Sequence, residues 1–289
     1  MRVYPLFALC TVALVTGACD KEGIITQTPP PLGGLRYINA VPDARGLNFL
    51  IVDVPAYAPN TVGATFRTGG SPMGVATAFL PPHLAVAAGT RHIKVFINHT
   101  NPDSAQIVVA ESNNTFSANS NYTYLLDGTF AAPTVTILND DVAAPPAGRV
   151  GIRLVHVGDG LGAVEVYSRK VGQALLGTLV TGLDNVAEGA VSAVGSLDTT
   201  AAAGDTLRFA VFPQGAGGAG TPIVDVKAPP GSRGTTQLNP IPGTSVLGTS
   251  LTVILFPRPV AASLAQTGPA DTLPTAGFMT DRRPANTVP

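Results

Sequence analysis

Few residues in this chain are of a type that does chemistry, and their spacing argues against most of what they could do. The histidines are His83, His92, His99 and His156. A zinc site needs imidazoles, thiolates or carboxylates converging on one ion. His92 and His99 are seven positions apart, which on a continuous strand sets them on opposite faces. No carboxylate adjoins either in sequence. His156 closes an apolar strand, where its ring can hydrogen-bond the backbone of the following turn and hold it. Gly158-Asp-Gly160-Leu-Gly162 is glycine-rich, but a dinucleotide loop needs G-x-G-x-x-G opening a helix. Here the spacing is wrong and a strand follows, so the segment reads as a turn. Gly243-Thr-Ser-Val-Leu-Gly248 has one residue too many for a G-x-S-x-G nucleophile elbow. Asn139-Asp140-Asp141 and Asp184-Asn185 offer oxygen ligands, but the spacing of an EF-hand loop is missing. Such side chains cap their own backbone in turns. The sequons at Asn98, Asn113 and Asn121 read as chance. The expectation is no enzyme, no cofactor, and no catalytic, cofactor-binding or metal residue.

The elements that carry these residues are short and β-rich. Apolar residues make up 45% of the chain and charged ones 12%, enough to bury real cores. The chain holds 32 glycines and 26 prolines among 289 residues, which predicts many turns rather than long helices. Net charge is −1 with no basic run, so the cationic stripe of a nucleic-acid binder is missing. The only cysteines, Cys10 and Cys19, lie in the first twenty residues. The body therefore has neither a disulfide framework nor a thiolate metal site.

Arg2 followed by the apolar stretch Val3 to Val15 is a positive n-region and an h-region. The stretch is too short to span about 30 Å of bilayer core. Small residues then precede Cys19, the layout of a secretory signal peptide over 1–18. Gly17-Ala18-Cys19 resembles the end of a bacterial lipobox, whose cysteine is linked to diacylglycerol. Thr16 departs from the usual leucine, and ordinary signal peptidase would accept the same cut. Lipidation at Cys19 is the reading adopted, since a cysteine at the first mature position is otherwise rare. Residues 19–33, with the proline triplet Pro29-Pro30-Pro31, read as a lipid-anchored flexible tether. The expected address is the cell envelope, on the outer membrane or the periplasmic face of the inner membrane. Asp20 resembles an inner-membrane retention signal, a rule that does not transfer across phyla.

An internal repeat organises the rest. Leu35–Leu50 aligns without gaps on Ile152–Tyr167 at an offset of 117. Further on, Asn121-Tyr-Thr-Tyr-Leu-Leu126 matches Ser250-Leu-Thr-Val-Ile-Leu255, and Thr134–Asp140 matches Thr275–Asp281. In Arg91–Asn98, Ile93, Val95 and Ile97 alternate with polar neighbours, the mark of a half-buried antiparallel strand. Helical periodicity is absent; Val260 to Gln266 could form a short turn of helix at most. The reading is all-β, two tandem immunoglobulin-like or transthyretin-like antiparallel β-sandwich domains at 34–142 and 149–284. A Pro-rich linker at 143–148, expected to carry few contacts, would let each fold by itself, and 285–289 is a tail. Gly215–Gly220 reads as a flexible hairpin connection.

Ile38–Leu50 and Val155–Tyr167 resemble a bacterial domain of unknown function, number four-three-nine-seven. Its hallmark is V-H-A-S-P-D-A-P-A-V-D-V-Y followed by an L-P-A-G-T strand start. The first copy keeps Pro42-Asp43-Ala44 but has Asn39 for the histidine. The second keeps His156, Val164, Val166 and Tyr167 but has Gly158-Asp159-Gly160 for the Pro-Asp pair. The resemblance implies a secreted or lipid-anchored tandem β-sandwich protein with no established activity. The function expected is a non-enzymatic envelope lipoprotein binding a protein, glycan or wall component; the alternative is a structural spacer or assembly subunit. Loops Asn39 to Gly46 and His156 to Gly162 occupy equivalent positions, at one end of their sandwiches. Asp43, Asp159 and His156 there either bind a partner or hydrogen-bond their own turns.

Overall fold

A computed structural model describes residues 30–44, 46–53, 61–69, 81–172, 177–198, 207–261, 263 and 272–284. The leader, the tether up to residue 29 and Cys19 lie outside the described residues. Among the described residues nine strands make the first half: β1 (Leu32–Asn39), β2 (Leu47–Ile51), β3 (Thr61–Ala64), β4 (Thr68–Gly69), β5 (Leu84–Ala87), β6 (Gly89–Ile97), β7 (Val108–Phe116), β8 (Asn121–Thr129) and β9 (Ala132–Asn139). Eight make the second: β10 (Arg149–His156), β11 (Val164–Lys170), β12 (Thr178–Leu179), β13 (Gly195–Asp198), β14 (Leu207–Pro213), β15 (Val224–Lys227), β16 (Ser250–Phe256) and β17 (Thr275–Arg282). A single helical turn, α1 (Pro102–Ala105), stands between β6 and β7, with Pro102 in its first turn and the Asn101 side chain capping Asp103 N–H.

Each half is a β-sandwich of two sheets, as expected. The inner sheets run β4-β1-β8-β9, with β5 also on β1, and β13-β10-β16-β17. The outer sheets run β3-β2-β6-β7 and β12-β11-β14-β15. Apart from the additional strand on β1, connectivity is the same in both. All pairings are antiparallel except β1 with β8 and β10 with β16, which are parallel. The strand flanking β1 or β10 on one side, β8 or β16, follows only after the whole outer sheet and runs in the same direction as the first, and β9 or β17 then turns back against it.

Period-two side-chain placement fills each sandwich. Leu35, Tyr37, Tyr124, Leu126, Phe49 and Val95 meet inside the first, and Ile152, Leu154, Leu251, Val253, Phe209 and Phe278 inside the second. Tyr37 lies 5.0 Å from Phe49 between ring centroids, and burial pushes its phenol well up. At Gly34 and Gly151 the next strand comes close. A Cβ at Gly34 would lie 2.2 Å from the Asn121 side chain, and one at Gly151 2.9 Å from Ser250.

The other face of each inner sheet is buried too. Ile38, Ala40, Leu125 and Leu138 of the first half pack with Val155, Ile254, Phe256 and Met279 of the second in one apolar cluster. The linker was expected to carry few contacts between independent domains; instead the two sandwiches meet sheet to sheet, and from Pro31 onward the chain forms one compact unit. Strands buried on both faces read as near-continuous apolar runs. Thus β16 is buried at every position, and β10 at all but its first.

Candidate functional site

The densest convergence of charged side chains lies on this sheet-to-sheet contact. Arg36 of β1 and Thr123 of β8 point to the contact face because they alternate with core residues; Arg153 of β10 and Thr252 of β16 do the same. Arg36 Nε donates to Thr123 Oγ1 at 2.7 Å, and Arg153 Nε to Thr252 Oγ1 at 2.8 Å. Each guanidinium then crosses to the other half. Arg36 donates to Thr280 O (2.9 Å) and Asp281 Oδ1 (2.7 Å); Arg153 donates to Asn139 O (2.8 Å) and Asp140 Oδ1 (3.1 Å). Each also pairs with the carboxylate of its own half, Arg36 with Asp140 at 3.0 Å and Arg153 with Asp281 at 3.3 Å. Thr123 donates to Asp140 at 2.6 Å, and Thr252 bonds Asp281. The arrangement has local twofold symmetry, two arginines around two aspartates.

The four charged side chains are 0–8% exposed. His83 breaks the symmetry by bonding Asp140 Oδ2 at 2.8 Å. Burial alone would raise both carboxyls. At Asp140 the His83 bond, the Arg36 charge and the Thr123 bond outweigh it and hold the carboxyl below its usual value. At Asp281 burial and the neighbouring Asp140 charge prevail over the two arginines and push it up. The charged groups of this buried cluster are bonded to one another. What it does is fix how one sandwich sits on the other.

The turn residues hold their own loops. The His156 ring bonds Gly162 O through Nε2 at 2.7 Å, and its Nδ1 accepts Gly158 N–H at 3.2 Å. An accepting Nδ1 makes the ring neutral with its proton on Nε2. Burial drives its pKa down, against the Gly162 bond and the Glu188 charge. In the first half Asn39 Oδ1 accepts Val41 N–H at 3.0 Å, the same bond two residues ahead. Asp43 Oδ1 accepts Phe130 N–H at 2.8 Å and so ties its turn to the β8–β9 hairpin. Glu188 receives Gly162 N–H at 3.1 Å.

These contacts predict that His156→Asn retains the bond to Gly158 and loses the one to Gly162, at a cost of about 1 kcal/mol at pH 8. Because the folded-state pKa is depressed, the wild-type ring contributes stability above its unfolded value of 6.5. That contribution is lost as the pH falls through the folded value. Chemical denaturation from pH 8 to 5 should show a steeper loss for wild type than for the variant; parallel curves would contradict it. Asp43→Ala should cost about 1 kcal/mol through the orphaned Phe130 amide, read in the same denaturation assay.

Both loops lie at one end of the unit. Pro42 O accepts Val260 N–H at 2.9 Å, and Val260 lies just past β16, whose last turn runs beside His156 through Val157 N–H to Leu255 O (3.1 Å). Arg67, at a left-handed φ of 64°, reaches the same region and donates to Pro257 O at 2.6 Å. The first loop is consequently half covered by the second sandwich, and the second, with Asp159 and Gly160, is exposed.

The remaining sequence candidates fall into structural places. His92 bonds Glu111 at 2.6 Å on the outer face of β6, so distant strands supply His83 and His92 with the carboxylates that no sequence neighbour offered. His99 lies past the end of β6 and its Nδ1 accepts Asn101 N–H. Asn139 and Asp141 bond turn amides, and Asp184 and Asn185 are exposed. Gly215–Gly220 is not a loose connection: the buried Glu165 carboxylate accepts Gly215 and Gly218 N–H, each at 3.2 Å. Among the described residues no three His, Cys, Asp or Glu are placed to hold a metal ion, and no helix is long and apolar enough to cross a membrane. The residues sequence reasoning missed are Arg36, Arg153 and Asp281. Their signal was present in Gly34-Leu-Arg36 and Gly151-Ile-Arg153, and in the shared final aspartate of the repeat.

Residues 33–167 match the family described as Domain of unknown function (DUF4397). No curated protein matches the chain. One solved structure, titled "Alpha-glucan binding by a streptococcal virulence factor", shares 14% identity over 68% of this chain and 87% of that one, with a TM-score of 0.21. Another, a leucine-rich repeat protein from Bacteroides thetaiotaomicron, shares 11% over 80% and 26%, with a TM-score of 0.18. Superposition this poor establishes neither a shared fold nor a shared ligand.

Proposed function

We propose that the protein is a non-enzymatic, exported envelope lipoprotein, anchored through Cys19, whose paired sandwiches act as one rigid head that binds a protein, glycan or wall component. In this reading residues 149–284 are a second, diverged copy of residues 34–142, and the family match at 33–167 runs on into its first two strands. The shared connectivity and the repeated Arg, Thr and Asp positions support that. The observation that carries the binding role is the meeting of both β1–β2-type loops at one end, opposite the end where the chain enters at Leu32. A head held by its tether at one end and presenting loops at the other is built to reach a partner. The spacer reading is less well supported, because sandwiches packed sheet to sheet add no length along the chain. A catalytic role finds no support in polar groups already saturated by structural bonds.

The test is a pull-down from envelope extract with wild-type chain and with exposed acids of the loop end changed, Asp159→Lys with Asp184→Lys. A partner held by wild type and lost by the variant, at unchanged melting temperature, supports the head. Recovery of nothing with wild type would leave the spacer. Mass spectrometry of the mature N-terminus tests the anchor separately, with an acylated Cys19 expected.

A further inference from the structure

The near-zero net charge conceals a segregation that only the fold produces. At the loop end lie Asp43, Asp103, Asp127, Asp159, Asp184 and Glu188, against Arg67 and Arg258. Burial pushes the Asp127 carboxyl up to about 6. At the tether end of the second sandwich the sign reverses. Arg149 opens β10, Arg282 closes β17 opposite Ser250, and Arg283 follows it. Lys170 and Lys227 end β11 and β15, and Arg233 is exposed just beyond. Among the described residues the acids at this end are Asp198, Asp225 and Asp281 in the second sandwich and Asp53, Asp140 and Asp141 in the first, of which Asp140 and Asp281 are bonded to the buried arginines. Asp225 is already paired with Arg169 and Arg208.

The same end carries a structure without counterpart in the first half. There β7 and β8, in different sheets, are joined by a short turn, whereas β15 and β16 are joined by residues 228–249. This insertion folds on itself: Thr244 N–H bonds Pro229 O, and Ser232 and Ile241 bridge. Its Leu238, Ile241 and Leu247 are nonetheless 67%, 59% and 46% exposed. Topology places it at the tether end, since β15 finishes and β16 begins there; Gly248 N–H bonds Arg149 O at 2.9 Å.

We infer that the insertion and its surrounding cations form a second, non-covalent contact with an anionic lipid bilayer. The inference rests on the proposed Cys19 anchor for which end faces the membrane. The chain advances only 13 residues from Cys19 to Leu32, a reach of about 45 Å when fully extended, so this end stays within range of the headgroups. Exposed apolar side chains at an end that also carries Arg and Lys suit an interface where acyl chains begin beneath anionic headgroups. A nucleic-acid surface would use the cations and leave Leu238 and Ile241 in water.

The experiment uses the chain from Asp20 onward, which carries no acyl group and keeps the whole compact unit. It is sedimented with vesicles of phosphatidylcholine alone and with phosphatidylglycerol added. Preferential binding to the anionic vesicles is expected, weakened more than about tenfold by Arg282→Glu with Arg283→Glu and by Leu238→Asp with Ile241→Asp. Melting temperatures should be unchanged, since these side chains are exposed. No vesicle binding, equal binding to both compositions, or binding to duplex DNA alone would overturn the inference. Since the probe lacks the lipid, these outcomes are independent of whether Cys19 is acylated, which mass spectrometry decides.

Discussion

Asp140→Ala is expected to destabilise the protein by about 3–5 kcal/mol, because it leaves two buried guanidiniums sharing one carboxylate. Asp140 is fully buried and holds Arg36, Arg153, Thr123 and His83 at 2.6–3.1 Å. The contrast is the rim pair Arg91–Asp53, at 3.4 Å with side chains 19% and 38% exposed. There Asp53→Ala should cost less than about 1 kcal/mol. Guanidinium denaturation midpoints of the two variants check the difference; equal losses would mean the cluster is not the latch its geometry describes. The pH dependence follows from the same residue. Asp140 sits below its ordinary value of 3.8, so its contribution is complete above that value and drains away as the pH falls through the folded-state one. Asp140→Ala should therefore flatten the acid limb of the stability profile. Replacing Arg36, Arg153, Asp140 and Asp281 together by apolar residues of similar volume should recover most of the lost stability, because charges that are absent need no partner.

Separating the halves is the second large effect. Residues 31–142 alone would expose Ile38, Leu125 and Leu138 and strip Arg36 and Asp140 of their cross-partners. At about 1.5–3 kcal/mol per large apolar side chain, an upper estimate, the loss approaches the whole stability of an ordinary domain. The isolated half is expected to lack a cooperative melt at low concentration. At higher concentration it should form a twofold dimer, since the face is self-complementary: Arg36 of one copy can take Asp140 of the other in place of Asp281. Circular dichroism with sedimentation velocity checks this. A monomeric half melting as cooperatively as the full chain would show that the interface contributes little.

Much of the fold was legible because side-chain alternation is a local property. Ile93 and Val95 face the core of the first sandwich, as their alternation with polar neighbours predicts, while Ile97, past the register shift at Val95/Phe96, is only half-buried. The sheet-to-sheet contact was harder to read, although β10 and β16 carried its mark. Their runs, Ile152 to His156 and Leu251 to Phe256, lack a wet face, which a strand covered on one side only would keep. The buried Arg153 interrupts the first of these runs, as Arg36 interrupts β1, and gives it the look of a solvent position.

Sequence by itself determined the all-β class and offered the turn-holding bonds of His156 as one reading, since alternation and bonds to Gly158 and Gly162 involve residues a few positions apart. The tertiary structure decided the rest. His83 and Asp140 are 57 residues apart and Arg36 and Asp281 are 245 apart, and no local pattern encodes which distant strands share a face. The charge segregation has the same origin. Basic residues scattered from Arg149 to Arg283 form a cluster only because β10, β11, β15 and β17 each begin or finish at the tether end. Strand direction is fixed by pairing across the sheet, and pairing is a property of the folded chain.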